Sequence, residues 1–265
     1  MMRALSTAAA GMIAQQLNID VISNNLANVN TTGFKGSRAE FQDLLYQNLR
    51  SPGASVGTGA STPTSVEIGL GSRPVATNTV FNEGALQVTN NPYDMAIGGD
   101  GFFKVLMPDG STSYTRDGAF KIDGQGRLVT SDGYALEPEI TVPSDAISDS
   151  FTVGKDGSVS IRRPGSSGQE DLGAKITLVR FINPSGLQRI GGNLYQASSA
   201  SGEAIEADPG TSGLGTIEQK ALEMSNVQVV EEMVKLIMAQ RAYEVNAKAI
   251  QSADDMLGIT NNVKK

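Results

Sequence analysis

Cysteine and histidine are both absent from the 265 residues of this chain. Without cysteine there are no disulfides and no thiolate nucleophiles, and without either side chain the usual thiolate and imidazole ligands of zinc are missing. The lack of histidine also removes the side chain that most often serves as a general acid or base. Carboxylates and lysine remain as possible catalytic groups, but the composition as a whole argues against an enzyme.

Aromatic side chains, long apolar runs and basic clusters are also scarce. Tryptophan is absent and aromatic residues make up only 5% of the chain, so the core is lean for this length. The sequence contains no run of 18 uninterrupted apolar residues, so no transmembrane helix is predicted. The first 16 residues weakly resemble a signal peptide, but their apolar spacing continues beyond them, and we expect no cleavage. With 21 basic and 28 acidic residues the net charge is −7, which argues against nucleic acid or an anionic membrane as the main partner.

The N-terminal segment carries an apolar pattern with alternating steps of three and four residues. Seven of its eight positions are apolar, which is typical of a helix that packs along another helix. The single polar member, Gln15, is a candidate for setting the register of that packing. The positions are Leu5, Ala8, Met12, Gln15, Ile19, Ile22, Leu26 and Val29.

A matching pattern lies near the C-terminus, and Gly258 is the expected end of its helix. Its polar member Gln240 is a second candidate for setting the register. Three further apolar residues widen the stripe beyond what one partner helix covers, so we expect helices from other copies of the chain to complete the packing. The stripe is Val229, Met233, Leu236, Gln240, Tyr243, Ala247, Ile250, Asp254 and Leu257, widened by Val230, Val234 and Ile237.

The middle of the chain has a different pattern, in which Asp-Gly pairs separate short apolar or alternating runs. Asp-Gly between such runs is a strong signal for a β-hairpin. We therefore predict an α+β fold in which N- and C-terminal coiled-coil-like helices pack together and a mainly antiparallel β domain is inserted between them. The expected domains are a helical domain from residues 1–32 and 216–265, a connecting hairpin or loop region at 33–75, and a β-rich domain at 76–215.

No group of residues predicts a catalytic, cofactor-binding or metal site. "GGDG" at 98–101 lacks the lysine and the strand–helix context of a phosphate loop. The acidic loop that begins at Asp123 has Tyr134 where an EF-hand needs glutamate, and a hairpin turn explains it better. Charged pairs such as Arg241 and Glu244 have the spacing of solvated pairs on a helix surface.

The polar stretch "SNNLANVNTTGFK" at 23–35 is the least helical part of the N-terminal segment. Asn28 and Asn30 are suited to satisfy backbone groups at a corner, and Gly33 permits a positive φ. Phe34 is then placed to anchor the chain where it leaves the helix. An ordinary helix C-terminus is the alternative interpretation.

Motifs at both ends and in the middle give the chain a resemblance to one family. "SNNLANVNTTGFK" and the stretch 225–257 resemble the terminal signatures of bacterial flagellar axial proteins, which include rod and hook proteins. "GDGFFKV", "YTRDGAF" and "GRLVTSDGYAL" resemble the β domain of rod and hook proteins. The length and the stretch 41–71 favour a subunit of the distal rod, with a proximal rod or short hook subunit as the alternative. A secreted β-rich enzyme with a helical oligomerisation stalk is an alternative from another class.

The resemblance implies a structural subunit without cofactors that assembles into a helical tube and transmits torque. The helices would line its inner core and the β domains its outside. Implied partners are further copies of the chain, proximal rod proteins, hook protein, the L- and P-ring bushing proteins and the flagellar export apparatus. Implied localisation is the basal body across the periplasm, after export without signal cleavage. Twelve seam residues are the expected subunit interface: Leu5, Met12, Ile19, Ile22, Leu26, Val29, Val229, Met233, Leu236, Tyr243, Ile250 and Leu257.

Overall fold

The computed structural model describes residues 2–50, 52, 64–145, 150–164 and 168–263. The chain forms two compact units. Unit 1 comprises Met1–Ala27, Ser37–Asn78 and Gln228–Lys265, and unit 2 comprises Asn28–Gly36 and Thr79–Val227. The chain therefore passes between the units at four places, after Ala27, Gly36, Asn78 and Val227.

Unit 1 is built from two long helices and a β ribbon. Helix α1 spans Met2–Ala27 and helix α2 spans Val229–Val263. The helices run antiparallel, because Asn25 near the end of α1 bonds Glu232 at the start of α2, whereas Gly11 lies against Asn246. In the ribbon the outer strands pair with each other, and so do the inner strands. Its strands are β1 (Ser37–Asp43) with β4 (Ser72–Thr79), and β2 (Tyr46–Arg50) with β3 (Val66–Gly69).

Local sequence explains where the helices begin and end. α1 ends at Ala27, within the stretch 23–35 and immediately before Asn28 and Asn30, because asparagine favours turns over helix interiors. α2 carries Glu231 and Glu232 in its first turn, where negative charge is favoured by the helix dipole. Gly258 does not end α2 as expected, since the helix continues to Val263. An exposed glycine within a helix costs only about 1 kcal/mol relative to alanine, so neighbouring residues can carry the helix past it.

Unit 2 is a mainly antiparallel β domain. Its largest sheet runs β16-β17-β8-β7-β11-β10-β9, and β15 pairs with both β7 and β18. Smaller sheets pair β12-β13-β14, β19 with β6, and β20 with β5. The strands are β5 (Leu86–Val88), β6 (Met95–Gly98), β7 (Phe102–Leu106), β8 (Thr112–Thr115), β9 (Lys121–Ile122), β10 (Leu128–Val129), β11 (Ala135–Glu137), β12 (Thr152–Val153), β13 (Ser158–Ile161), β14 (Glu170–Lys175), β15 (Leu178–Arg180), β16 (Gln188–Gly191), β17 (Leu194–Gln196), β18 (Ile205–Ala207), β19 (Thr216–Gln219) and β20 (Ala221–Glu223), with a 3-10 turn at Pro184–Gly186.

Aliphatic and phenylalanine side chains fill the core of unit 2. Phe103 packs edge-on against Phe120 at a centroid distance of 5.2 Å, and both are fully buried. A smaller aromatic cluster surrounds Phe102 and Phe181, whose ring centroids are 5.9 Å apart. Edge-to-face pairs of this kind stabilise beyond the area that they bury. Tyr93 and Phe151 form a third pair at 5.3 Å, so most aromatic side chains of unit 2 lie in contact with another ring.

Four of the six Asp-Gly pairs lie at hairpins, whereas those at 100–101 and 117–118 lie between consecutive strands that do not pair with each other. Asp-Gly pairs at 109–110, 123–124, 132–133 and 156–157 lie between consecutive strands that pair with each other. The predicted α+β class is confirmed, since the terminal helices pack together and an antiparallel β domain lies between them in the chain. The domain boundaries differ from those expected. Residues 216–223, assigned to the helical domain, form β19 and β20 of unit 2, and residues 28–36 also belong to unit 2.

Candidate functional site

The side of α2 that faces α1 contains a row of small and polar residues at heptad spacing. Glu232, Ala239 and Ala253 are buried, and Asn246 lies so close to Gly11 that a Cβ at Gly11 would stand 2.9 Å from its amide nitrogen. Small side chains allow the two helix backbones to approach closely. Sequence reasoning missed this row because alanine, asparagine and glutamate give little apolar signal.

The predicted seam residues lie at several depths. Ile22 is buried, and Leu5, Met12, Ile19, Leu26 and Val29 are partly buried. In α2, Leu236, Ile250 and Leu257 are partly buried. Val229, Met233 and Tyr243 are exposed at 41%, 50% and 39%. Val29 lies beyond the end of α1, in unit 2, and the exposed residues of α2 stay available for other contacts. Of the two candidates for setting the register, Gln15 is partly buried and Gln240 is exposed.

The first turns of α2 present a broad apolar surface. Val230 is 74% exposed and Met238 is 67% exposed. Large apolar side chains scattered singly over a surface are normal, but a contiguous set on one helix marks an interaction site. We call this set the α2 apolar surface: Val229, Val230, Met233, Val234, Ile237 and Met238.

Asn25 connects three chain segments within unit 1. Its amide nitrogen donates to the Ser37 carbonyl at 2.8 Å and to Glu232 Oε2 at 3.1 Å, and its oxygen accepts from the Ser37 N–H at 2.9 Å. Glu232 is also paired with Lys235 at 2.6 Å. Asn25 is buried and belongs to the stretch 23–35. Its amide thus links the end of α1 to the beginnings of β1 and α2, close to where the chain leaves and re-enters unit 1.

The corner residues Asn28, Asn30, Gly33 and Phe34 form part of unit 2. The Thr31 hydroxyl donates to the Asn28 side-chain oxygen at 3.2 Å, while Asn30 is exposed. Gly33 has a φ of 66°, and a Cβ there would lie 2.6 Å from the Asp117 nitrogen, so both conformation and space require glycine. Phe34 is buried beneath the Arg189 guanidinium, 5.5 Å from the ring centroid.

Next to this corner, unit 2 buries an ion cluster of Lys35, Arg116 and Glu223. Lys35 Nζ lies 2.5 Å from Glu223 Oε1, and Arg116 Nε lies 2.9 Å from Glu223 Oε2. Lys35 also donates to the Asn82 carbonyl, and Arg116 to the carbonyls of Gly99 and Gly101, each at 2.8 Å. The backbone N–H of Gly84 donates to Glu223 at 2.9 Å. The cluster is therefore well supplied with hydrogen-bond partners, as buried charges require.

Burial and neighbouring charge shift two pKa values in this cluster. Burial, followed by the charge of Arg116, lowers the pKa of Lys35. Burial alone would raise the pKa of Glu223, but Arg116 and Lys35 outweigh it and hold that pKa below its ordinary value. Glu223 is thus kept ionised between the two cations. No spacing in the sequence could have revealed this cluster, because its members are brought together only by the fold.

Asn226 joins three chain segments at the surface of unit 2. Its side-chain oxygen accepts from the Gly36 N–H at 2.9 Å, and its amide nitrogen donates to the carbonyls of Val80 at 2.8 Å and Asn82 at 3.2 Å. Its own N–H donates to the Phe34 carbonyl at 3.4 Å. Three of the four places where the chain passes between the units therefore lie within two residues of Asn226 or of a backbone group bonded to its side chain.

The described residues contain no group of three or more acidic residues that could hold a metal ion. No helix in the described part of the chain is long and apolar enough to cross a membrane. A cavity of 270 Å³ in unit 2 is lined by Phe81, Phe102 and Phe181 together with Arg116 and Arg180. Of these two arginines, Arg116 is bonded to Glu223 and Arg180 donates to the Ser212 carbonyl at 3.1 Å.

Comparison with known families gives three matches along the chain. "Flagella basal body rod protein" matches residues 5–35, which include α1 and the corner. "Flagellar hook protein FlgE/F/G D1 domain" matches residues 96–161 in the β domain. "Flagellar basal body rod FlgEFG protein C-terminal" matches residues 218–263, from β19 to the end of α2.

Individual relatives match over the whole length. The "Flagellar basal-body rod protein FlgG" of Borreliella burgdorferi is 51% identical over 265 residues, covering 100% of both chains. That of Caulobacter vibrioides is 46% identical and covers 99% of this chain and 100% of its own. That of Buchnera aphidicola subsp. Schizaphis graminum is 46% identical over 93% of this chain and 94% of its own.

Proposed function

The chain belongs to the family of flagellar basal-body rod proteins, and we propose that it is a structural subunit of the distal rod. The carrying observation is the α2 apolar surface, which lies on a helix inside one of the matched family regions. A surface of this kind needs partners, and a tube built from many copies supplies them. The full-length similarity to rod proteins named FlgG supports the rod over the hook.

Assembly would proceed through contacts that do not close on themselves. A heterologous contact, in which one face of a subunit meets a different face of the next, generates an open helical filament. The helices of unit 1 would form the inner wall with the α2 apolar surface between neighbouring copies, and unit 2 would form the outer layer. The predicted interface residues Val229, Met233 and Tyr243 would then be buried by assembly, along with the outward sides of the partly buried ones.

The ribbon is a second proposed contact between subunits. Leu45 is 83% exposed, and Tyr46 and Leu49 are also exposed. Tyr46 and Leu49 lie on β2, in a two-stranded sheet that has little core of its own, and Leu45 immediately precedes it, which leaves these side chains for neighbouring copies. Part of the stretch 41–71 lies outside the described residues.

The role is mechanical, and it needs no catalytic group or cofactor. The rod would pass torque from the motor to the hook through many buried interfaces and would enclose the export channel. Its partners would be proximal rod proteins, the hook protein, the L- and P-ring bushing proteins and the export apparatus that delivers the chain. It would stand in the basal body, across the periplasm.

A charge within the α2 apolar surface tests this function. Val230→Asp places a carboxylate where neighbouring copies would exclude water, and burying an unpaired charge costs several kcal/mol in every subunit. In a host whose own copy of the gene is deleted, the native chain should restore rods and hooks, whereas Val230→Asp should not. Electron microscopy of basal bodies gives the readout, and a gold-labelled tag on the native chain should map to the distal part of the rod.

Gln251→Asp is the matched control, because it adds the same charge at an exposed polar position of the same helix, outside the apolar stripe. It should assemble normally. Failure of the native chain to restore rods would refute the proposed function. Normal rods from Val230→Asp would show that the α2 apolar surface is not an interface between subunits.

A further inference from the structure

The surface of unit 2 gathers its chain exits in one place. The exits after Gly36 and Val227 and the entry before Thr79 all lie within two residues of a backbone group bonded to Asn226, or of Asn226 itself. The Val80 N–H also donates to the Gly36 carbonyl at 2.9 Å, so two of these segments are bonded directly to each other. Asn226 spans them by accepting one hydrogen bond and donating two, so both amide hydrogens and one of the two lone pairs of its oxygen are used.

We propose that Asn226 is a positioning residue for rod assembly. Its side chain holds the segments that lead into α2 and into and out of the ribbon at a fixed spacing on unit 2. This inference rests on the proposed function. The side-chain hydrogen bonds of Asn226 to these segments all go to backbone groups, so they order the chain whatever side chains the segments carry. Subunits of a helical tube must meet neighbours on several faces at once. A variable spacing of the segments that lead into α2 and the ribbon would weaken all of these subunit contacts.

The neighbouring ion cluster has a different task. Lys35 and Glu223 are fully buried, so removing either one would leave charge unpaired inside unit 2 and damage the β domain itself. Asn226 is only partly buried and stands at the edge of that core. Substitution of Asn226 therefore separates positioning from folding, which substitution of the cluster does not.

Within unit 1, Asn25 has the corresponding arrangement. It bonds the backbone of Ser37 and the side chain of Glu232, which follow two of the same exits. One asparagine on each unit thus holds the segments that pass between the units. Each of these two asparagines donates both amide hydrogens and accepts one bond across such segments, which favours a purpose beyond local turn stability.

The test compares Asn226→Ala with Asn183→Ala. Asn183 also donates its amide to a backbone carbonyl in unit 2, Ala200 at 2.9 Å, but far from the chain exits in sequence. Both purified full-length variants should melt within a few degrees of the native chain. In Asn226→Ala, hydrogen exchange at the Gly36 amide should quicken on the order of tenfold to 100-fold, because its bonded partner is lost.

Assembly is measured in the deletion host by counting rods and hooks. Asn226→Ala should give at least about tenfold fewer complete rods than Asn183→Ala. A loss of this size corresponds to roughly one hydrogen bond, and the loss recurs in every subunit of the tube. Asn226→Asp should be no better than alanine, because its carboxylate would face the carbonyl oxygens of Val80 and Asn82.

The outcomes separate the two proposals. If the native chain fails to build rods, the proposed function is refuted, and the positioning role in assembly falls with it. If the native chain builds rods and Asn226→Ala does so equally well, only the positioning role is overturned. A large drop in the melting temperature of Asn226→Ala would also overturn it, since the residue would then belong to the core of unit 2. Normal assembly by Asn226→Asp would show that the two donated hydrogen bonds are not needed.

Discussion

Lys35, Arg116 and Glu223 place two cations and one anion inside unit 2, where an isolated charge would be strongly disfavoured. An apolar trio of similar volume would fill the same space at less cost in desolvation. The charges add specificity to the fold, because they join Lys35, which follows the corner, to Glu223, which ends the last strand of unit 2. The cluster is complete only when both ends of the unit are in place.

Replacing Glu223 with glutamine should therefore be severe. Glu223→Gln leaves Lys35 and Arg116 without their anion, and loss of one partner of a buried pair costs about 3–5 kcal/mol. The free energy of unfolding of unit 2, measured by urea denaturation at pH 7, should fall by that amount. Glu218→Gln is the control, because Glu218 pairs with Lys155 at the surface and such pairs contribute about 0–1 kcal/mol.

The same variant should change how stability depends on pH. The pKa of Glu223 lies below its ordinary 4.5, so the folded chain binds this proton less readily than the unfolded chain. The stabilisation is present above pH 4.5 and is lost as the pH falls through the folded-state pKa. The difference between the native chain and Glu223→Gln should thus narrow below pH 4.5, as followed by urea denaturation across a pH series. A difference that stayed constant there would contradict the assignment.

At the scale of elements, close approach is the main feature of the helix pair. Ala239 is 2% exposed on the side of α2 that faces α1, and the adjacent Met238 is exposed. Ala239→Leu should force the helices apart and prevent rod assembly, because overpacking of a tight contact costs typically about 1–3 kcal/mol in every copy. Met238→Leu conserves volume and should be tolerated. Rod counts in the deletion host check both, and normal rods from Ala239→Leu would contradict the close contact.

Sequence patterns located these elements better than they located their contacts. The heptad of large apolar residues predicted both helices, and Asp-Gly pairs predicted four hairpins, because both signals are local. The row of Glu232, Ala239, Asn246 and Ala253 stayed hidden, since small and polar residues make a seam only when another helix comes close. Strands β19 and β20 were also missed. Their partners β6 and β5 lie more than 100 residues earlier in the chain, and short-range patterns cannot reveal such pairing.

At the scale of the whole molecule, the two units differ in what holds them together. Unit 2 has two buried clusters of apolar side chains and the ion cluster, whereas unit 1 has a helix pair with a thin ribbon. An isolated helix pair is marginal in water, and the α2 apolar surface gains its full burial only beside other copies. We therefore expect unit 2 to be stable in the free monomer and the helices of unit 1 to become ordered on assembly.

Limited proteolysis of dilute monomer tests this expectation. From sequence alone, cleavage should remove about 30 residues at the N-terminus and about 45 at the C-terminus, since loosely held ends are cut first. The structure moves both limits outward, to the bounds of unit 2 at Asn28 and Val227, because the corner, β19 and β20 all belong to that unit. Mass spectrometry of the resistant core should find its ends near these residues, with further cuts within 37–78. Cleavage should stop at the same residues over a wide range of protease concentration, because Lys35 and Glu223 hold both ends into the core.

Protection of both helices in a proven monomer would contradict the expectation and would make the helix pair a stable part of the free chain. A core that began after Lys35 or ended before Glu223 would instead show that the ion cluster does not close unit 2.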